Sequence, residues 1–337
     1  MPTVRQIAKE AGVSIGTVSR VLNNSPQVSA SARDKVLAAA NRSGYVGAVG
    51  RRSTSNVALL YTGKPSLGSP YDAALMEGMS AGLDRTGSDL IVLTATRARE
   101  RGESLAQMLL RKGVRAAVVR TTTETRDLVR PLALEPFPFL VIADDFNDPA
   151  IPCLSTRVDD ACRRAIEHLI HLGHRRIAIT LNLLDDHDHA ARLDAWRRTL
   201  IDHGIDASDR LVHRVFGYRD AGTVALRQLM TTPDAPTAVF CTDPLVGVGM
   251  CHEAQRVGVR IPEDLSILGF DDGDQRFSTY PRMSAVCQDA HALGRAAFAV
   301  LEQRLGPTTN GQVDVASPEC WFEPHESTGP PPASPSH

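Results

Sequence analysis

Residues 3–45 read TVRQIAKEAGVSIGTVSRVLNNSPQVSASARDKVLAAANRSGY, and the fold of this end of the chain follows from where their apolar residues fall. Val4, Ile7, Ala8 and Ala11 share one helical face, and Thr3 followed by Gln6 three positions on is the pattern of a capping box. The spacing predicts a helix over about 4–11. Gly12 stops it, and Ser14 is placed to cap a second helix whose inner face is Val18, Val21 and Leu22. Pro26, Ser29 and Ser31 break that helix. A third starts near Ser31, turns Val36, Leu37 and Ala40 inward, and ends at Gly44. Helix, tight glycine turn, helix is a helix-turn-helix, and three short helices can share one small core.

The residues of the second helix left facing outward are Ile15, Gly16, Ser19, Arg20 and Asn23. An arginine can place two donors on guanine O6 and N7, which makes Arg20 a candidate base reader. Ser14, Thr17, Ser19, Asn23 and Ser29 offer short hydroxyl and amide groups suited to phosphates, which set register without reading sequence. Charge agrees with a DNA-facing head. Residues 1–56 hold eight Lys/Arg against two acidic side chains, whereas the other 281 residues hold 29 basic and 37 acidic ones. A basic head on an acidic body points to nucleic-acid contact at one end.

This stretch, and AGVSIGTVSRVLN above all, resembles the DNA-binding head of the lactose-repressor/galactose-repressor (LacI/GalR) family. The resemblance implies that Ile15, Gly16 and Arg20 occupy the base-reading positions. Gly16 has no side chain, so discrimination would rest on Arg20 and on contact between Ile15 and a thymine methyl. It also implies a hinge helix after Gly44-Tyr45 that packs on its dimer mate and wedges a leucine into the minor groove. Here the segment 46–56, VGAVGRRSTSN, is shorter than that hinge by more than a turn, has two glycines and lacks a leucine. Two readings stay open for it. Arg51 and Arg52 contact the backbone or a narrow minor groove with Val49 as wedge, or the segment is a flexible linker whose arginines add only nonspecific attraction.

Beyond residue 56, short apolar runs alternate with helical stretches: VALLY, DLIVLT, AAVVR and FLVIAD, then RIAITLN, LVHRVF, AVFCTD and LSILGFDD. Strand alternating with helix implies doubly wound parallel sheets, here two. The expected class is therefore α/β, a small all-α helix-turn-helix head followed by two parallel-sheet lobes. The resemblance continues through EHLIHLGHRRIAI, ARLDAW, PTAVFCTDPLVGVG, VRIPEDLSILGFDD and ESTGPPP. It implies a body like a type I periplasmic sugar-binding protein, with crossovers near 157, 287 and 319. The domains would be a DNA-binding head at 1–45, the hinge at 46–56 and an effector-binding, dimerising body at 57–328. One lobe would be 57–156 with 287–318, the other 157–286 with 319–328, and the tail 329–337, GPPPASPSH, is expected to be disordered. It has no leucine heptads, which favours a homodimer over a tetramer.

Ligands of such sheets sit at the carboxyl ends of strands, in the crevice between lobes. Asp144, Thr242 and Asp271 end strand runs. Arg192, four residues before Trp196, matches the family arginine that grips the effector, and Asp271 matches its second anchor. Asp144 and Thr242 fall at further contact positions, with Asp243 read instead as a helix cap. Tyr71 sits where the family places an aromatic or apolar residue near the cleft floor. Each has a structural alternative: an ion pair for Arg192 and Asp271, ordinary packing for the others. Carboxylate and guanidinium anchors suit a sugar or polyol effector.

No cofactor and no metal is expected. HLIHLGH and LDDHDHA invite a metal reading, but their spacing is poor, and the second is expected to be a solvated loop at the cleft mouth. No GxSxG, GxxxxGK[ST] or HExxH string occurs, so an enzyme would lack a familiar nucleophile. Six cysteines without a CxxC pair, no apolar leader run and no membrane-length segment point to the cytoplasm. Two function classes follow. The first is a homodimeric, effector-gated transcription regulator, a repressor by preference, reading a near-palindromic double-stranded operator. The second is a sugar receptor or cryptic enzyme carrying a vestigial head.

Overall fold

The structure, a computed structural model, describes residues 3–22, 25, 27–43, 56–232, 234–306 and 317–332. Three helices make the head: α1 (Val4–Ala11), α2 (Ile15–Leu22) and α3 (Ala30–Ser43). Thr3 and Gln6 close a reciprocal capping box on α1, and Gly12 ends it at φ 65°, in the left-handed region where a glycine meets no steric penalty. Ser14 Oγ accepts the Thr17 amide at 3.0 Å and so caps α2. Ser29 Oγ accepts the Ala32 amide at 3.3 Å, so α3 begins one residue earlier than its sequence predicts. Ile7, Val18, Val21, Val36, Ala39 and Ala40 form the shared core, with Leu37 only partly buried beside Ala39.

The body has two sheets. The first, ordered β2-β1-β3-β4-β5, contains β1 (Asn56–Tyr61), β2 (Leu90–Thr94), β3 (Val114–Arg120), β4 (Phe139–Ile142) and β5 (Cys153–Leu154), all parallel. Around it lie α4 (Pro70–Thr86), α5 (Ala95–Ala98) and α6 (Leu105–Arg111). The chain then builds α7 (Asp159–His171), β6 (Ile177–Asn182), α8 (His187–Asp202), β7 (Val212–Val215), α9 (Arg219–Met230), β8 (Ala238–Cys241), α10 (Pro244–Val257), β9 (Ser266–Asp271) and β10 (Ser284–Gln288). It returns to the first lobe as α11 (Ala290–Leu305), whose Leu293, Ala297 and Leu301 join the core of β1, β3 and α4. β1, β4 and β8 are continuous apolar runs because both faces of a parallel sheet are covered by helices.

Two expectations are corrected here. The second sheet, ordered β11-β10-β9-β8-β6-β7, is not wholly parallel, since β11 (Cys320–Glu323) pairs antiparallel with β10 at its edge. That pairing runs through Gln288 opposite Cys320, so the second sheet extends one or two residues past the expected crossover at 287. Residues 329–332, assigned to a disordered tail, are ordered. The Gly329 carbonyl accepts His174 Nε2 at 2.9 Å, and its amide donates to Ser266 Oγ at 3.1 Å. Buried donors need partners, and the tail backbone supplies them. Residues 333–337 lie outside the described part. All six cysteines are free thiols, four of them buried.

Candidate functional site

On α2, the side chains of Ile15, Ser19 and Arg20 and the backbone of Gly16 are exposed, while Val18 and Val21 hold the helix to its core. The Arg20 guanidinium folds back over Gly16, where its Nη2 lies 3.7 Å from the position a Cβ would take. Ser14 and Thr17 share a hydroxyl hydrogen bond of 2.9 Å at the same end. Ser14 and Ser29 both serve as helix caps, and a hydroxyl that accepts an amide still has a proton to donate to a phosphate. Asn23, Val49, Arg51 and Arg52 lie outside the described residues.

In the body, the carboxyl ends of β1, β3, β6, β7, β8 and β9 face one cleft between the lobes, enclosing about 880 Å³ with its open mouth included. The first lobe contributes Tyr71, at the start of α4, and Arg120, at the end of β3. The Arg120 guanidinium lies over the Tyr71 ring at 4.6 Å and stands 3.6 Å from buried Asp72. Asp72, nearby Tyr71 and the cleft aspartates outweigh burial, so Arg120 holds its proton more firmly than a free arginine. A backbone hydrogen bond from Thr123 to the Asp185 carbonyl, 2.9 Å, joins the two lobes beside the cleft.

The second lobe contributes the first turns of α8. Asp186 is its N-cap and accepts both the backbone amide and the Nδ1 of His189, at 2.9 and 2.8 Å. His189 Nε2 stands 3.4 Å from Asp243 Oδ2, off hydrogen-bond geometry, and both atoms are buried without a hydrogen-bond partner. Burial alone would depress this imidazole, but Asp186 and Asp243 push it up to about 10, so it is a cation at neutral pH. The same contact outweighs burial at Asp186 and Asp243 and holds both carboxyls below the usual range. Arg192, one turn further on, is 5% exposed. Its Nη1 donates to the Thr242 carbonyl at 2.7 Å, its guanidinium lies 3.6 Å from the Phe270 ring centroid, and its Nε has no partner. Beyond it, Phe216 and Tyr218 stack at 6.1 Å, both half-exposed at the mouth.

Of the residues proposed from sequence, Arg192 and Tyr71 line this cleft, and Asp271, Thr242 and Asp144 do not. Asp271 is fully buried in a turn, where it accepts the Gly273, Gln275 and Arg276 amides and Arg276 Nη1 at 2.6 Å. Its neighbour Asp272 faces the cleft instead. Thr242 Oγ1 donates to the Thr180 carbonyl at 2.8 Å, and Asp243 takes the cleft position without capping α10 through its side chain. Asp144 accepts from Thr121 Oγ1 at 2.5 Å and pairs with Arg126 at 3.0 Å. At the ends of β8 and β9, Thr242 and Asp271 bond within their own lobe, and the residue after each, Asp243 and Asp272, lines the cleft.

Sequence reasoning missed Asp186, Asp188, His189, Asp243, Asp272 and Arg120. The DDHDH string is the capped start of α8, with Asp188 and His189 walled into the cleft, rather than a solvated loop. The signal available was Asp186 three residues before His189, the spacing of an N-cap. Among the described residues, no group of three or more His, Cys, Asp or Glu could hold a metal ion, and no helix is long and apolar enough to cross a membrane.

A helical DNA-binding head joined to a two-lobed α/β body with a polar cleft defines a ligand-responsive class of regulator. Residues 3–47 match the lacI family of bacterial regulatory proteins, and residues 166–323 match the periplasmic binding protein-like domain. The ribose operon repressor of Haemophilus influenzae is 30% identical over 95% of this chain and 97% of its own. The transcriptional regulator MalR of Streptomyces coelicolor is 30% identical over 90% of each chain. A solved complex of the transcriptional regulator CelR with cellobiose covers 97% of this chain and 100% of that one, at 27% identity and a TM-score of 0.68. The chain belongs to the LacI family of transcription regulators, and these relatives are regulators, not enzymes.

Proposed function

We propose that the chain is a homodimeric transcriptional repressor that binds a near-palindromic double-stranded operator in the cytoplasm and is gated by a sugar in the cleft. The observation that carries this reading is a set of buried polar atoms that lack a hydrogen bond among the described residues: Tyr71 Oη and Arg192 Nε, with Asp243 Oδ2 touched only by the His189 charge, belong to residues lining one cavity. Buried polar groups cost free energy unless hydrogen-bonded, so such a cluster is built for a ligand that brings the missing donors and acceptors. Vicinal hydroxyls do so, and the names of the ribose operon repressor and of the CelR–cellobiose complex support a sugar. Ile15, Gly16 and Arg20 read bases; Ser14, Thr17, Ser19, Asn23 and Ser29 hold phosphates; Val49, Arg51 and Arg52 supply the hinge contact.

In this mechanism the ligand bridges the lobes and changes their relative rotation, which alters the spacing of two heads on the operator by a coupling of about 1–3 kcal/mol. The test is capture of genomic duplex fragments by the purified protein at two salt concentrations, with and without a sugar panel. Selective capture of a palindromic site, changed by one sugar, is the expected result. Uniform binding that vanishes with salt would overturn the specific-operator reading.

A further inference from the structure

The cleft carries more buried negative charge than its own cations neutralise. Its acidic side chains are Asp186, Asp188, Asp243 and Asp272, with Asp72 directly behind, and its buried cations are Arg120, His189 and Arg192; Lys64 is exposed at the mouth. Partners divide unevenly. Arg120 faces Asp72, and His189 lies between Asp186 and Asp243. Arg192 is left with Asp188 and Asp272, one cation for two carboxylates, while its Nη1 donates to the Thr242 carbonyl and its guanidinium lies over the Phe270 ring.

Asp188 is 7% exposed and, among the described residues, accepts no hydrogen bond and forms no ion pair. Asp272 is 5% exposed and, among the described residues, accepts only from Gln288. The two carboxyls line the one cleft, Asp188 from the first turn of α8 and Asp272 from just beyond β9. Tyr71 Oη, buried and unpartnered, looks into the same space. Burial raises both carboxyls, Asp272 to about 6, although the Arg192 charge opposes it at each, so one guanidinium does not offset two buried carboxylates.

We infer that the effector is a polyhydroxylated cation, an amino sugar whose protonated amine sits between Asp188 and Asp272. The inference rests on the cleft being an effector site and narrows it. An ammonium donates three hydrogen bonds and cancels the surplus charge, whereas a neutral hydroxyl leaves one buried carboxylate uncompensated. Tyr71, Arg192 and Asp243 then take ring hydroxyls.

The test is calorimetric titration of the full chain with glucosamine, galactosamine and mannosamine, each beside its parent hexose and its N-acetyl form, at pH 7.5. One amino sugar should bind roughly 10- to 100-fold tighter than its parent hexose and its N-acetyl form, the range expected for a charge-assisted hydrogen bond. Asp188→Asn, isosteric and neutral, should erase that preference, read as the ratio of amine to parent-hexose affinity on the same variant. A hexose bound as tightly as its amine, or a preference that survives Asp188→Asn, overturns the amine assignment and leaves the sugar-gated reading intact. Binding of none of the nine probes overturns the amine assignment, and the sugar-gated reading is then decided by the wider sugar panel on operator fragments. The wild-type series decides even if the variant fails to fold.

Discussion

Gln288 donates its side-chain amide to Asp272, a cleft carboxylate, and accepts the Thr156 hydroxyl at 2.7 Å through its own carbonyl oxygen. Thr156 lies on the first connection between lobes and Gln288 immediately before the second. A ligand that engages Asp272 therefore acts on a buried group tied to two of the segments that connect the lobes. Gln288→Leu removes both bonds at similar volume. It should cost about 1–3 kcal/mol of stability through the polar groups left unpaired. It should also shrink the change in operator affinity on adding effector, read by operator titration with and without the bound sugar. An unchanged ratio would remove Gln288 from the coupling route.

His189 links pH to stability. Its folded pKa is raised from the ordinary 6.5 to about 10, so the folded chain holds a proton that the unfolded chain releases in between. The stabilisation is complete below about pH 6.5 and is lost as pH rises through 10. The groups facing the ring are Asp186 and Asp243, both held ionised across that window. Stability of the wild type should fall between pH 7 and 10 more steeply than that of His189→Gln, by at most about 1.4 kcal/mol per pH unit. Urea melts of the two proteins at pH 7, 8.5 and 10 check it; parallel curves would mean that His189 is neutral.

The head was legible because its determinants are local. A capping residue and a 3.6-residue apolar period lie within a dozen positions, and Thr3, Gly12 and Ser14 all act where the sequence places them. The parallel strands were legible as continuous apolar runs. β11 was not, because CWFE is half-exposed at a sheet edge and shows neither a buried run nor an alternation. At the site, strand ends give the position to within one residue but not the direction of the side chain. Thr242 and Asp271 bond within their own lobe while Asp243 and Asp272 face the cleft, and only the pleat of the finished sheet decides which. The polar string at 185–189 looks like a loop until Asp186 is seen to cap a helix whose first turn is covered by the first lobe.

Helices α4 and α11 touch backbone to backbone. A Cβ on Gly294 would stand 2.1 Å from the Leu75 carbonyl oxygen and 3.0 Å from Gly78 Cα, and one on Gly78 would stand 2.0 Å from the His291 carbonyl oxygen. Neither neighbour is a flexible side chain that can swing away. Gly294→Ala should therefore force the helices apart and cost about 1–3 kcal/mol or more in a urea melt. Gly68, where a Cβ meets nothing within 4 Å, supplies the control, and its alanine variant should stay within about 0.5 kcal/mol of wild type. Equal melts for Gly294→Ala and wild type would contradict the close approach of α4 and α11.

If Arg20 and Gly16 stand at the base-reading positions proposed for them, they separate base reading from folding. Arg20 is exposed, and its guanidinium lies along the open backbone of Gly16 rather than in the head's core. Arg20→Ala should leave the melting of the head and the affinity for effector unchanged. Discrimination at one base pair should fall by about 1–3 kcal/mol, the cost of losing a bidentate guanine contact. Gly16→Ala adds a methyl that meets Arg20 Nη2 and Ser14 Oγ at 3.7 Å, ordinary contact distances, so the helix accepts it. The same methyl stands on the exposed face beside Arg20 and should shift base preference at the neighbouring position instead of abolishing binding. Selection from a randomised duplex library by the wild type and both variants measures this directly. Identical consensus sites from all three proteins would place base reading elsewhere in the chain.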